Sequence, residues 1–130
     1  YREEEREMNS FCNAEGVGLI PWSPLARGML GRPVSQVSER SESDAKTKLW
    51  FKGSKDTKIV RRVEEIARRK GVSMASVATA WCLSKGCAPI VGLSSLKRIE
   101  QVGEAFEVVL SDTDLRELEE LYEPLQVVAM

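Results

Sequence analysis

The stretch Val17-Gly18-Leu19-Ile20-Pro21-Trp22-Ser23-Pro24-Leu25-Ala26-Arg27-Gly28 decides how this chain is read. Its first four residues are a short apolar run ended by Pro21, the pattern of a buried strand. The residues after it are rich in turn formers. They bring a hydroxyl (Ser23), a cation (Arg27) and a glycine that lets backbone approach a ligand (Gly28). The pattern returns later. Ala88-Pro89-Ile90-Val91-Gly92 is a second strand-like run, and Leu93-Ser94-Ser95-Leu96-Lys97-Arg98 leads from it into a helix. In folds of alternating strands and helices, ligands sit at the C-terminal ends of strands. Free N–H groups at a helix start attract anions. Lys97 and Arg98 fall in a first turn, beside the positive end of the helix dipole, and a bound phosphate would offset that. Plainer readings stand beside these: a tight turn with a solvated arginine, and two cations bent into water.

Helical patterns fill the rest. Residues 2–14 pair Glu3 with Arg6 across a turn, line up Met8, Phe11 and Cys12, and stop at Gly16. A helix is expected from Thr57 to Lys70, with Asp56 as N-cap, Ile59, Val60, Val63, Ile66 and Ala67 inward, and Gly71 at its end. Ser73 caps the next, with Met74, Val77, Ala78, Trp81 and Cys82 in the core and Gly86 as its stop. Ser95 caps a helix reaching Phe106. Ser111 and Asp114 form a capping box for a last helix, through Leu115, Leu118, Leu121 and Tyr122 to Pro124, whose acidic residues are a solvated face. Residues 31–55 have no clean period and form a long polar loop within the single domain 1–130, either a lid or disordered, with Trp50 and Phe51 as lid anchors or, second, ligand contacts.

Strands alternating with helices imply parallel β/α units. Two strands cannot close a parallel sheet, so the chain asks for more strands than it has. The fold class is therefore α/β and incomplete. Two phosphate-friendly strand-to-helix junctions fall where the last two strands, 7 and 8, of a (β/α)8 barrel would, so the chain is expected to be the C-terminal portion of an incomplete barrel. Loops after strands 7 and 8 often build the phosphate site of such barrels. Tyr1, in place of a start methionine, agrees with the expectation of a fragment or truncated product.

Composition narrows the function. The net charge of -1 leaves no basic surplus for nucleic acid or anionic membrane. No apolar run is long enough to span a bilayer, and the charged YREEERE opening is no signal peptide. Three cysteines with no CxxC and no histidine argue against a zinc site or a disulfide framework, which suits a reducing, cytoplasmic setting. Without histidine, Ser-His or Cys-His chemistry is impossible within these residues.

Four pieces, YREEEREM at 1–8, GVGLIPWSPLARGML at 16–30, KGVSMASVATAWCLSKG at 70–86 and APIVGLSSLKRIEQ at 88–101, cover most of the chain. In that order they resemble the aldo-keto reductase superfamily. The nearest branch is that of fungal aryl-alcohol-dehydrogenase-like reductases, with potassium-channel β subunits as distant relatives. The resemblance implies a (β/α)8 barrel that binds NADP(H) and reduces a small carbonyl substrate, aldehyde or ketone, to an alcohol. It makes Val17–Ile20 strand 7 and Ile90–Gly92 strand 8. It lays Ser23, Pro24, Leu25, Arg27 and Gly28 along the cofactor's pyrophosphate, and gives the 2′-phosphate to Ser94 and Arg98, with Lys97, past Gly92. Gln101 stands where an adenine-contacting glutamate is common; Val102 departs from the usual asparagine. The family's catalytic tyrosine, lysine, aspartate and histidine belong to the first half of the barrel. None is matched here, and neither Tyr1 nor Tyr122 falls at the catalytic position. Two other readings follow: a truncated inactive relic, or a non-catalytic regulatory or interaction protein of the same superfamily.

These residues alone should show no reductase activity, because general acid catalysis, usually about 10²- to 10⁴-fold, lacks its donor. NADPH oxidation with a small aldehyde is the assay, and saturable turnover would contradict the reading. They should also melt without a sharp cooperative transition by circular dichroism, since Ile20 and Ile90 lie on strands with open edges.

Overall fold

Three serines start three helices. In the computed structural model, which describes residues 1–36 and 54–125, Ser73, Ser95 and Ser111 each accept a backbone N–H from three residues on, at Ser76, Arg98 and Asp114. A short hydroxyl there satisfies a donor that has no partner inside the helix. The helices are α1 (Met8–Ala14), α2 (Ser54–Lys70), α3 (Met74–Ser84), α4 (Leu96–Ala105) and α5 (Asp112–Glu119). Tight 3-10 turns occupy Glu3–Glu5 and Ala26–Gly31. α1, α2 and α3 stop alike, at Gly16, Gly71 and Gly86, all with positive φ. The next N–H then reaches back five residues, from Val17 to Cys12, Val72 to Ala67 and Cys87 to Cys82.

Several boundaries differ from the sequence reading. The helix expected over 2–14 is broken near Arg6 and Glu7, although Arg6 does pair with Glu3 at 3.3 Å. Of its apolar stripe only Cys12 is buried; Met8 and Phe11 are exposed. α2 begins at Ser54, so Asp56 lies in its first turn rather than at its cap, and the polar loop ends before residue 54. An acidic residue suits either place, because both face the positive end of the dipole. Trp50 and Phe51 lie outside the described residues. α5 ends at Glu119, short of Pro124, and beyond it Tyr122 and the Leu125 N–H bond Glu3.

The core forms where α2 meets α3. Val60, Val63, Ile66 and Ala67 pack on Met74 and Val77, and Leu30, Val72, Leu110 and Leu118 close the sides. Burying each large aliphatic side chain is worth about 1.5–3 kcal/mol. α3 is covered nearly all round, with Met74 to Ala80 and Cys82 buried, so small residues at 75, 76, 78 and 80 let its neighbours approach. Trp81 is only half-buried. The Arg2 guanidinium lies 5.2 Å from its ring and 5.5 Å from that of Tyr122, while pairing with Glu5 and Glu119. Tyr122 donates its hydroxyl to Glu3 Oε1 at 2.6 Å, and the Leu125 N–H joins the same oxygen. This clamp ties the first residues to the end of α5.

The two strand-like runs meet in parallel, Leu19 beside Cys87 and Trp22 beside Ile90. The Ala88 N–H donates to the Leu19 carbonyl and the Ile90 N–H to that of Pro21, each at 2.8 Å. Pro21 has no N–H to return, so two isolated rungs form rather than a continuous ladder. Pro89 lies between two residues that donate to the first run, so its missing N–H belongs to the opposite edge. Because the pair is parallel, residues 23–28 and 92–98 leave from the same end. Ile20, Trp22 and Ile90 stay exposed.

Asp114 fastens α5 to α2. It is buried, closes the capping box on Ser111, and takes Lys70 at 2.7 Å and Arg69 at 2.5 Å. Burial alone would raise its pKa, but the bonds from Lys70, the Ser111 N–H and Arg69 outweigh that and hold it far below the usual range. A depressed carboxylate stabilises the fold above its unfolded pKa, about 3.9, and that stability is lost as pH falls toward its folded value. Asp114→Ala should therefore cost about 1–3 kcal/mol at neutral pH in urea titration. It should also flatten the loss of stability below about pH 4. An unchanged acid limb would show that other carboxylates set it.

Candidate functional site

The loop after the first run is held in an uncommon backbone. Ser23 (φ 59°), Ala26 (φ 47°), Arg27 (φ 56°) and Gly28 (φ 95°) all have left-handed φ. For residues with a side chain this costs about 1–3 kcal/mol each and persists only where surroundings enforce it. Here the Ala26 N–H bonds the Ser23 carbonyl at 2.9 Å, and the Gly28 and Leu30 N–H groups both bond the Leu25 carbonyl. Gly28 suits its place: a Cβ there would lie 2.9 Å from the Arg32 guanidinium, and its φ disfavours any side chain. Such strained turns cluster at ligand sites.

At the second junction Ser95 caps α4, and the Arg98 guanidinium donates to Ser94 Oγ. Ser94, Lys97 and Arg98 are exposed. So is Gly92, where open space means nothing nearby demands a glycine. Gln101 is half-buried, and its carbonyl lies 3.0 Å from the Ser76 hydroxyl oxygen. The structure thus joins Ser94 to Arg98 directly. It relates this junction to the first loop through the parallel pair.

A cavity of about 510 Å³ lies behind the first loop, with Ser23, Pro24 and Arg27 on its wall together with Leu19, Val63 and Leu118. None of residues 92–101 lines it. The cations Arg2 and Lys85 on its wall are already paired with Glu5 and Glu119. Burial pushes the Cys82 thiol up to about 11 and raises that of Cys87 as well, so neither is a thiolate nucleophile at neutral pH. Burial and the Glu3 carboxylate raise the Tyr122 phenol, whose proton is committed to Glu3.

Sequence reading missed two polar residues behind the second junction. Ser76 is fully buried, and Glu104 accepts both its hydroxyl and the Ser73 N–H. Nothing in the spacing of 73, 76 and 104 announces a contact between separate helices.

Comparison with known proteins agrees with these elements. A Schizosaccharomyces pombe protein provisionally named an aryl-alcohol dehydrogenase is 49% identical over 129 residues, covering 98% of this chain and 37% of that protein. Versiconal hemiacetal acetate reductase of Aspergillus parasiticus is 45% identical over 128 residues, covering 95% and 37%. Among solved structures, a thermostable aldo-keto reductase in complex with the inhibitor epalrestat superposes with a TM-score of 0.66 at 25% identity. That match covers 94% of this chain and 36% of the other. The chain spans a little over a third of the length of these relatives. The profile described as the Aldo/keto reductase family matches residues 1–123, and this chain belongs to that family.

Proposed function

We propose that this chain is the nucleotide-binding part of an NADP(H)-dependent oxidoreductase that reduces a small carbonyl compound. The observation that carries the reading is the exposed Ser94–Arg98 pair at a capped helix start, on the same end of the parallel pair as the strained loop. On this reading the two runs are strands 7 and 8 of a (β/α)8 barrel, and further strands cover Ile20 and Ile90.

The residues present fit a dinucleotide with an extra phosphate. Arg98 holds the 2′-phosphate in a planar fork, Ser94 adds a hydroxyl donor, and the first-turn N–H groups of α4 add a favourable field. Lys97, on another side of the helix, contributes less. Gln101 lies one turn along, toward the adenine. Ser23, Pro24, Leu25, Arg27 and Gly28 follow the pyrophosphate, and Gly92 opens the second loop. The bound cofactor supplies hydride to the carbonyl carbon. The work of this chain is to bind and orient it. Tyr122 is tied to Glu3, and the Cys82 and Cys87 thiols are held up in pKa, so this reading gives none of these three the role of proton donor. That donor belongs to the rest of the barrel on this reading.

Arg98→Ala, made in the protein that carries this segment, tests the assignment by fluorescence titration of both cofactors. Charge-assisted hydrogen bonds contribute about 1.5–3 kcal/mol, so NADPH should weaken roughly 10- to 100-fold and NADH little. Equal losses for both would mean that Arg98 holds the fold or the adenine and not the phosphate.

A further inference from the structure

Among the described residues, α4 is fastened mainly through its last turns. Its first half stands in solvent, with Leu96, Lys97, Arg98 and Ile99 all exposed. Its last turns meet α3, where Ala105 is buried and a polar latch forms. Ser76, fully buried on α3, gives its hydroxyl to Glu104 and lies 3.0 Å from the Gln101 carbonyl. The Ser73 N–H reaches the same Glu104 oxygen at 3.2 Å, and the Ser73 and Ser76 hydroxyls touch each other. The Ser76 hydroxyl and the Ser73 N–H keep the Glu104 carboxyl below its usual range, so it is an ionised acceptor at neutral pH.

We infer that Glu104, latched to Ser73 and Ser76, is a positioning residue that sets where the Arg98 end of α4 stands, and so sets the preference between phosphorylated and unphosphorylated dinucleotides. This rests on the cofactor reading above. Glu104 lies six residues beyond Arg98, about 9 Å along the helix axis, too far to share its ligand. Its effect on the phosphate passes through the helix. A rigid helix anchored at its far end turns a small tilt there into a larger displacement at its tip, and about 1 Å is enough to spoil a forked contact. Loss of the latch therefore falls on the contact made at the tip, that of Arg98 with a phosphate.

The test is a mutant cycle in the protein that carries this segment, with NADPH and NADH titrated by fluorescence. Glu104→Ala should weaken NADPH by roughly 3- to 10-fold while NADH stays within about twofold. In an Arg98→Ala background the same change should cost NADPH no more than about twofold further. Glu104→Gln, which keeps an acceptor for the Ser73 N–H and the Ser76 hydroxyl, should restore most of the preference. Ser76→Ala, which removes one hydroxyl from a buried site, should move NADPH in the same direction and gives a second reading if Glu104→Ala folds poorly. Equal weakening of both cofactors, full additivity with Arg98→Ala, or no change in NADPH would each overturn the inference. If Arg98→Ala itself leaves the preference intact, the cofactor reading fails; if Arg98→Ala removes it and neither Glu104→Ala nor Ser76→Ala shifts it, only the latch fails.

Discussion

Two hydrogen bonds, from Ala88 to Leu19 and from Ile90 to Pro21, place the two halves of this chain side by side. Their parallel sense is what matters. An antiparallel pair would send the loop after Trp22 and the loop after Ile90 to opposite ends. A parallel pair sends both to one end, and parallel strands require a long crossover between them. Helices α2 and α3 lie within that crossover and carry the core. The pairing is short because Pro21 cannot donate, so packing of α2 on α3 and the latches around them must keep the pair in register.

Those latches are mostly charged and long-range. Asp114 gathers Lys70, Arg69 and Ser111; Arg2 sits between Trp81 and Tyr122; Glu3 takes Tyr122 and Leu125. Each carboxylate at such a junction is buried or half-buried and has more than one donor, the condition under which a buried charge stabilises rather than costs. The apolar interior is small, so these fastenings decide how the outer helices stand. That is why the arrangement of the candidate site depends on residues far from it in sequence.

Much of this was legible in the sequence. Ser73, Ser95 and Ser111 start helices, and Gly16, Gly71 and Gly86 end them, because capping is local chemistry between residues a turn apart. The apolar runs at 17–20 and 88–92 were readable as strand-like and their parallel sense from the helices between them, but they meet only through isolated rungs and form no strand among the described residues. What was not legible depends on distant partners. Tyr122 lies past the end of its helix, with its hydroxyl on Glu3, 119 residues away. The left-handed turns at Ser23, Ala26 and Arg27 are set by bonds within the folded loop, and these residue types alone would not announce them. Asp56 was read as a cap because it is the acidic residue nearest the apolar periodicity, and α2 starts before it. Of the candidate site, the segment holding Ser94 and Arg98 was singled out from helix-start chemistry, whereas Ser76 and Glu104 join two helices and left no periodic trace.

The central claim is that two loops on one end of a parallel pair together form a dinucleotide phosphate site. Hydrogen exchange of the backbone amides, followed in the protein that carries this segment with and without NADP⁺, tests it most directly. The account predicts slowed exchange in both 22–28 and 93–101 on addition of NADP⁺, with the second segment protected less by NAD⁺. Protection confined to one segment, or identical protection by the two nucleotides, would contradict it.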